Sequence, residues 1–183
     1  MKTTHRQALK LDKFYLNPDI VDKCLETIDL DIYDFIVEPS AGNGRFYNKI
    51  NHHNKVGIDI EPECDNIIKQ NFLNWKPNFT YTKVLTIGGP PFGGTIRTGY
   101  PLATKFLNHA ATYSDTIAFV LPKRYDIELK NFNCNKMFDI SKSSFTFNGE
   151  HIWKVFGYGV QGTECSWNIY TLKNNLTNIY SYG

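Results

Sequence analysis

Phe35-Ile36-Val37-Glu38-Pro39-Ser40-Ala41-Gly42-Asn43-Gly44 is the stretch that decides how this chain is read. Its first three residues form an apolar run of the length of a short buried strand, and an acid closes it. A glycine loop follows, then an expected helix from about Gly44 to Ile50. Glycines between a strand and a helix let the backbone approach a ligand closely. A second loop of this kind, Gly88-Gly89-Pro90-Pro91-Phe92-Gly93, follows the apolar run Val84-Leu85-Thr86-Ile87.

Outward from these loops, strands and helices alternate. Val56-Gly57-Ile58-Asp59-Ile60 reads as a second strand, Ile67-Ile68 as a third running into Asn71-Phe72, and residues 84–87 as a fourth. Residues 117–121, Ile-Ala-Phe-Val-Leu, are the clearest strand in the chain. Upstream, Asn17 caps and Pro18 opens a helix whose apolar positions Ile20, Val21, Cys24, Leu25 and Ile28 recur at helical spacing. Leu102, Ala103, Phe106, Leu107 and Ala110 mark an amphipathic helix after the second loop. Strands apolar on both faces, alternating with helices, imply a mostly parallel sheet covered on both sides. Residues 143–147 and 150–156 flank Asn148-Gly149, a dipeptide that supplies the positive φ angles of a tight hairpin. Residues 167–172 read as a further strand. The expected architecture is α/β and Rossmann-like, ending in an antiparallel hairpin. One domain is expected over 1–183, with residues 1–12 and the tail 173–183 loosely held.

Composition narrows the function classes. A chain of 183 residues is the size of one core, and 15% aromatic content makes that core sizeable. A net charge of +2 suits a nucleic-acid partner without the basic excess that would demand one. Cys24, Cys64, Cys134 and Cys165 are widely spaced with no C-x-x-C, which speaks against a zinc site or a disulfide framework. The first 13 residues are polar and no stretch reaches membrane-spanning length. A soluble, intracellular, cytoplasmic protein without a membrane partner is expected.

Two acids sharpen the first loop. Glu38 closes its strand, where a carboxylate is costly to bury unless it has a partner. Asp59 closes the next strand, where an acid can accept both hydroxyls of a ribose. A dinucleotide turn would need G-x-G-x-x-G, but its third glycine position is Tyr47, too bulky for close helix–strand contact. The Glu-Pro-x-x-Gly-x-Gly form instead resembles the first motif of the class I S-adenosylmethionine-dependent methyltransferases. The resemblance implies that Glu38, Pro39, Ala41, Gly42, Gly44, Asp59 and Ile60 bind S-adenosylmethionine. In that family the glycines pass the methionine part and the acid after the second strand holds the ribose.

Pro90-Pro91-Phe92 resembles the [Asn/Asp/Ser]-Pro-Pro-[Tyr/Phe/Trp] motif of the N6-adenine (amino) branch of that family. The branch implies catalytic roles for Gly89, Pro90, Pro91 and Phe92. Two prolines lock the loop so that a side-chain oxygen and a backbone carbonyl face an exocyclic amine, and the aromatic stacks on the base. Lys13-Phe14-Tyr15 resembles the family's N-terminal motif, which puts Phe14 and Tyr15 near the cofactor. Asn71-Phe72 sits where the family has Asp-Phe, the acid reaching the cofactor's adenine and the Phe stacking on it. The helix and strand after the second loop resemble bacteriophage and large-virus members. The resemblance runs from residue 13 to residue 125. Phe92, Arg97, Lys123, Arg124 and Phe147 are the candidate substrate contacts. No metal is implied, because the methyl donor is already activated as a sulfonium.

Two positions depart from the pattern. Asn71 replaces an acid but keeps an acceptor oxygen. Gly89 replaces the residue whose side chain accepts from the amine, and glycine has none. A backbone carbonyl remains, and a neighbouring residue or a protein partner is the source left for the missing group. Two classes therefore stand: a methyltransferase acting on adenine N6 in DNA or RNA, and a pseudoenzyme that keeps the pocket and binds cofactor, nucleic acid or a protein partner. DNA and RNA are not distinguished, and a planar protein amide is a third acceptor. Target selectivity falls to residues 93–100, the hairpin or a partner.

Overall fold

The computed structural model describes residues 15–78, 81–93, 96–147, 150–151 and 164–173. Among these residues ten strands and two α-helices follow in chain order: β1 (Tyr15–Leu16), α1 (Pro18–Leu25), β2 (Phe35–Glu38), β3 (Lys55–Asp59), β4 (Ile68–Lys69), β5 (Val84–Gly88), α2 (Pro101–Ala111), β6 (Thr116–Pro122), β7 (Phe132–Ile140), β8 (Phe145–Phe147), β9 (Glu150–His151) and β10 (Cys165–Leu172). Seven strands form one sheet in the order β4-β3-β2-β5-β6-β10-β7. β2 to β6 run parallel, while β10 lies antiparallel between β6 and β7. The expected α/β class holds: a mostly parallel sheet, a helix on each face, and antiparallel pairing toward the C-terminal end.

The apolar strands explain the two layers. Successive side chains on a strand point to opposite faces, so a strand buried on both sides is apolar throughout. On β6, Ile117, Phe119 and Leu121 join the cluster built with Phe106, Leu107 and Ala110 of α2. Ala118 and Val120 join the opposite cluster with Val21 and Cys24 of α1. Ile36, Leu85 and Ile87 follow them to the α1 side, whereas Phe35, Val37 and Val84 face α2. Trp167 of β10 is wholly buried on the α1 side, and its indole N–H donates to Thr27 Oγ1 at 2.9 Å. No helix among the described residues is long and apolar enough to cross a membrane.

Three expectations change, and one strand, β7, has no counterpart among them. α1 ends at Leu25 rather than running to Ile28: Thr27 turns back to donate its hydroxyl to the Cys24 carbonyl at 2.6 Å. The helix expected from Gly44 to Ile50 is a single 3-10 turn, Tyr47–Lys49. Its apolar residues serve different clusters, Phe46 and Ile50 packing with Trp167 while Tyr47 packs with Ala41 and Ile67. A regular helix would put these residues on one face and leave one cluster unfilled. β7 carries no apolar signal, because seven of its nine residues are exposed or half-buried at the sheet edge and its pairing with β10 defines it. The hairpin strands β8 and β9 do not extend the main sheet. In a separate three-stranded sheet β8 pairs with β1, Tyr15 opposite Thr146, and β9 pairs with β8, Phe147 opposite Glu150. The Asn148-Gly149 turn and residues 152–156 lie outside the described residues.

Candidate functional site

Strand order reverses at β2: the chain goes outward to β3 and β4, then crosses back to β5 on the other side. Such a switch point opens a crevice at the carboxyl ends of the strands. The glycine loop leaves β2 there, and the Pro-Pro-Phe loop leaves β5. The two strands pair directly, Phe35 beside Val84 through Val37 beside Thr86. The loops also touch, because the Ser40 hydroxyl donates to the Gly89 carbonyl at 2.8 Å.

The glycine loop is held from three directions. Gly42 N–H donates to Asp59 Oδ2 at 2.8 Å, and Glu61 N–H donates to Asp59 Oδ1 at 2.8 Å. The Ala41 N–H reaches the Ile58 carbonyl at 2.9 Å, and the Glu63 N–H reaches the Gly42 carbonyl at 2.9 Å. Asp59 thus ties the end of β3 to the loop after β2, and each carboxylate oxygen keeps a lone pair for a ligand hydroxyl. Gly42 has φ 51°, and a β-carbon there would lie 2.6 Å from Tyr15 Cε1. The Tyr15 ring therefore covers the loop, and its hydroxyl donates to Glu63 Oε1 at 3.0 Å. Burial and the Glu63 carboxylate push the Tyr15 phenol well above its ordinary value. Arg45 Nη1 donates to the Leu16 carbonyl at 2.7 Å and to Thr146 Oγ1 at 2.8 Å, fastening the small sheet to this loop.

Glu38 is the buried acid of the site, 3% exposed. A β-carbon on Gly88 would lie 3.0 Å from Glu38 Cγ, so the glycine closing β5 makes room for the carboxyl. The Tyr47 backbone N–H favours the charged carboxyl, while Oε2 is the one buried side-chain N or O atom without a hydrogen-bond partner among the described residues. Burial, and then the Asp59 charge, push the Glu38 pKa up to about 8 from an ordinary 4.5. The shift favours the protonated, neutral carboxyl. Between these two values the folded chain holds a proton that the unfolded chain has lost. Stability therefore falls as pH rises through that window, and the whole penalty is present above about 8. Glu38→Gln removes the titration. Thermal melts from about pH 5 to about pH 9 should show the native midpoint dropping more steeply than that of the variant. Parallel curves would exclude Glu38 as the source.

The second loop is packed from below and open above. Pro90 is buried and Phe92 half-buried, its ring edge-on to Tyr100 at 5.9 Å. The Leu102 and Ala103 N–H groups donate to the Phe92 carbonyl at 3.2 and 3.3 Å, fixing the first turn of α2 to the loop. Gly93 has φ 70°, and a β-carbon there would lie 2.2 Å from Leu102 Cβ, so glycine is required. Gly89 differs. Its backbone is outside the left-handed region, it is exposed, and a β-carbon would meet only Val120 Cβ, at 3.9 Å.

The remaining candidates separate. Asn71 is exposed, and its Oδ1 accepts from the Leu73 N–H at 3.0 Å, capping the 3-10 turn Phe72–Asn74. Phe72 is 1% exposed and enclosed by Phe106 at 5.0 Å, His109 at 4.8 Å and Trp75 at 6.4 Å. These three side chains enclose its ring. Ile60, 53% exposed beside Asp59, is the apolar side chain presented at that position. Pro39 and Ala41 are buried in the loop, and Gly44 turns it at φ 80°. Arg97, Lys123 and Arg124 are exposed, and Lys123 Nζ lies 2.7 Å from Asp139 Oδ2. Phe14 and the side chain of Phe147 lie outside the described residues. Sequence reasoning missed Ser40, which sits inside the quoted loop, and Arg45, whose partners are 29 and 101 residues away. It also missed Gly88, whose pairing with Gly89 was the available signal.

No protein-family model matches this chain, and no curated protein does. Among solved structures it is similar to a dimethyladenosine transferase from Plasmodium falciparum, with a TM-score of 0.54 and 13% identity. The similarity covers 92% of this chain and 66% of that one, so this chain spans just under two thirds of that protein's length. At this identity the likeness is one of fold, a Rossmann-like α/β sheet.

Proposed function

We propose that this protein is an S-adenosylmethionine-dependent methyltransferase acting on the exocyclic N6 amine of adenine in DNA or RNA. The observation that carries this reading is the meeting of the two loops at the switch point, where the Ser40 hydroxyl bridges to the Gly89 carbonyl. A cofactor on the first loop and a base on the second would lie side by side. The residues present fit that cofactor. Glu38 Oε2 is a buried oxygen with no partner among the described residues, available to a polar group of the ligand. Asp59, with one oxygen on each of two backbone amides, stands where a ribose diol would be held. Ile60 supplies an exposed apolar shelf for a flat ring. When bound, the cofactor supplies a methyl group activated on a sulfonium. The Pro90 carbonyl accepts from the amine, and Phe92 limits where the base can lie. Arg97, Lys123 and Arg124 are the exposed cations assigned to phosphates, with any protein partner adding target selectivity.

A second reading follows from Gly89, which offers no side chain to the amine. On that reading the protein is a pseudoenzyme that binds the cofactor without transferring methyl. Titration calorimetry with S-adenosylmethionine and with its demethylated product tests the element common to both. Binding of either is expected. Binding of neither would overturn both readings.

A further inference from the structure

We infer that Ser40 is a substrate-contacting residue whose hydroxyl replaces the acceptor missing at Gly89, taking a hydrogen bond from the exocyclic amine of the target base. This rests on the methyltransferase reading of the site. A serine hydroxyl has one hydrogen to donate and two lone pairs to accept with. Here the hydrogen goes to the Gly89 carbonyl at 2.8 Å, and this is the only hydrogen bond the hydroxyl makes among the described residues. The donation fixes the hydroxyl rotor and leaves both lone pairs unused. The acceptor is thereby oriented before any substrate arrives, the arrangement that gives polar groups their catalytic weight.

Position and space agree with this role. Ser40 is half-buried and Gly89 exposed, so the bond lies at the mouth of the crevice. The volume that a Gly89 side chain would fill is open, since a β-carbon there meets nothing nearer than Val120 Cβ at 3.9 Å. Pro90 and Pro91 have no N–H, so this part of the loop offers carbonyl oxygens only. Ser40 Oγ and the Pro90 carbonyl make two acceptors for the two N–H groups of a planar amine. The chemistry balances without an ionised serine. The amine lone pair attacks the methyl carbon, the carbon–sulfur electron pair stays with sulfur, and one N–H proton passes to water.

The test reads recognition of the amine rather than turnover. Fluorescence anisotropy, with the demethylated cofactor product at saturation, compares a short single strand of deoxyadenosine with one of purine deoxyriboside, which lacks the amine. The native protein should prefer the adenine strand, each of the two hydrogen bonds being worth about threefold to tenfold. Ser40→Ala should lower that preference by about threefold to tenfold, leaving the share of the Pro90 carbonyl, and Ser40→Thr should keep it whole. Adding Gly89→Asn to Ser40→Ala should restore it, which separates a lost contact from a damaged loop. No preference in the native protein, or a preference unchanged in Ser40→Ala, would overturn the role of Ser40. Calorimetry on the same samples distinguishes the two levels. If the cofactor product binds and only the amine preference fails, Ser40 is wrongly assigned and the methyltransferase reading stands. If the product does not bind, both fall.

Discussion

Gly89→Asn is expected to raise the rate of methyl transfer by about 100-fold. One positioned polar group at a reacting centre is worth about 100- to 1000-fold. The lower end applies because the Ser40 hydroxyl already stands within hydrogen-bond distance of this loop. The substitution should not disturb the fold. Gly89 does not use a left-handed conformation, and a β-carbon there meets only Val120, at ordinary van der Waals distance. Gly88 and Gly93, on either side, would not accept a side chain, since each has a positive φ and a close neighbour. The measurement is label transfer from S-adenosylmethionine to unmethylated DNA and to RNA, native protein and variant in parallel, with the modified base identified. Transfer to adenine N6 by both, faster with the variant, establishes an enzyme working without the usual side chain. Transfer by the variant alone identifies a pseudoenzyme with an intact pocket. Transfer by neither counts against nucleic-acid adenine as the substrate.

Asp59→Ala should weaken binding of the cofactor by more than about tenfold. Hydrogen bonds to a charged group are worth about 1.5–3 kcal/mol, and about 1.4 kcal/mol is tenfold in affinity. The alanine variant also releases the Gly42 and Glu61 amides, so the loop that shapes the pocket loses its tie to β3. Asp59→Asn keeps an acceptor while removing the charge. Its affinity should fall between the native protein and Asp59→Ala. Removing that charge should also lower the Glu38 pKa, because Asp59 is the charged neighbour that raises it. The upper end of the pH window of the thermal melts then moves down, and the window narrows. An unchanged dissociation constant in Asp59→Ala would place the ribose site elsewhere.

Much of this was written into local sequence. Phe35–Glu38, Val84–Gly88 and Thr116–Pro122 are buried throughout, so strand identity followed from runs of apolar residues. Gly42, Gly44, Glu38 and Asp59 were legible because positive φ angles and acids at strand ends leave a mark at single positions. Other features had no local mark. β7 reads Phe-Asn-Cys-Asn-Lys-Met-Phe-Asp-Ile, and its strand state comes from pairing with β10 at the sheet edge. Phe72 reads as a residue for stacking on a ligand, yet the aromatic side chains of Trp75, Phe106 and His109 close over it. The small sheet joins Tyr15 to Thr146, a pairing across 131 residues that no periodicity encodes. By itself the sequence determined the α/β class, the two loops and the absence of a side chain at Gly89, because each depends on residue type at its own position. The tertiary structure alone decided that Ser40 bonds to Gly89, that Glu38 is buried with one oxygen unpartnered among the described residues, and that Phe72 is enclosed. Those are properties of distance between residues far apart in the chain, and they exist only once the strands have chosen their neighbours.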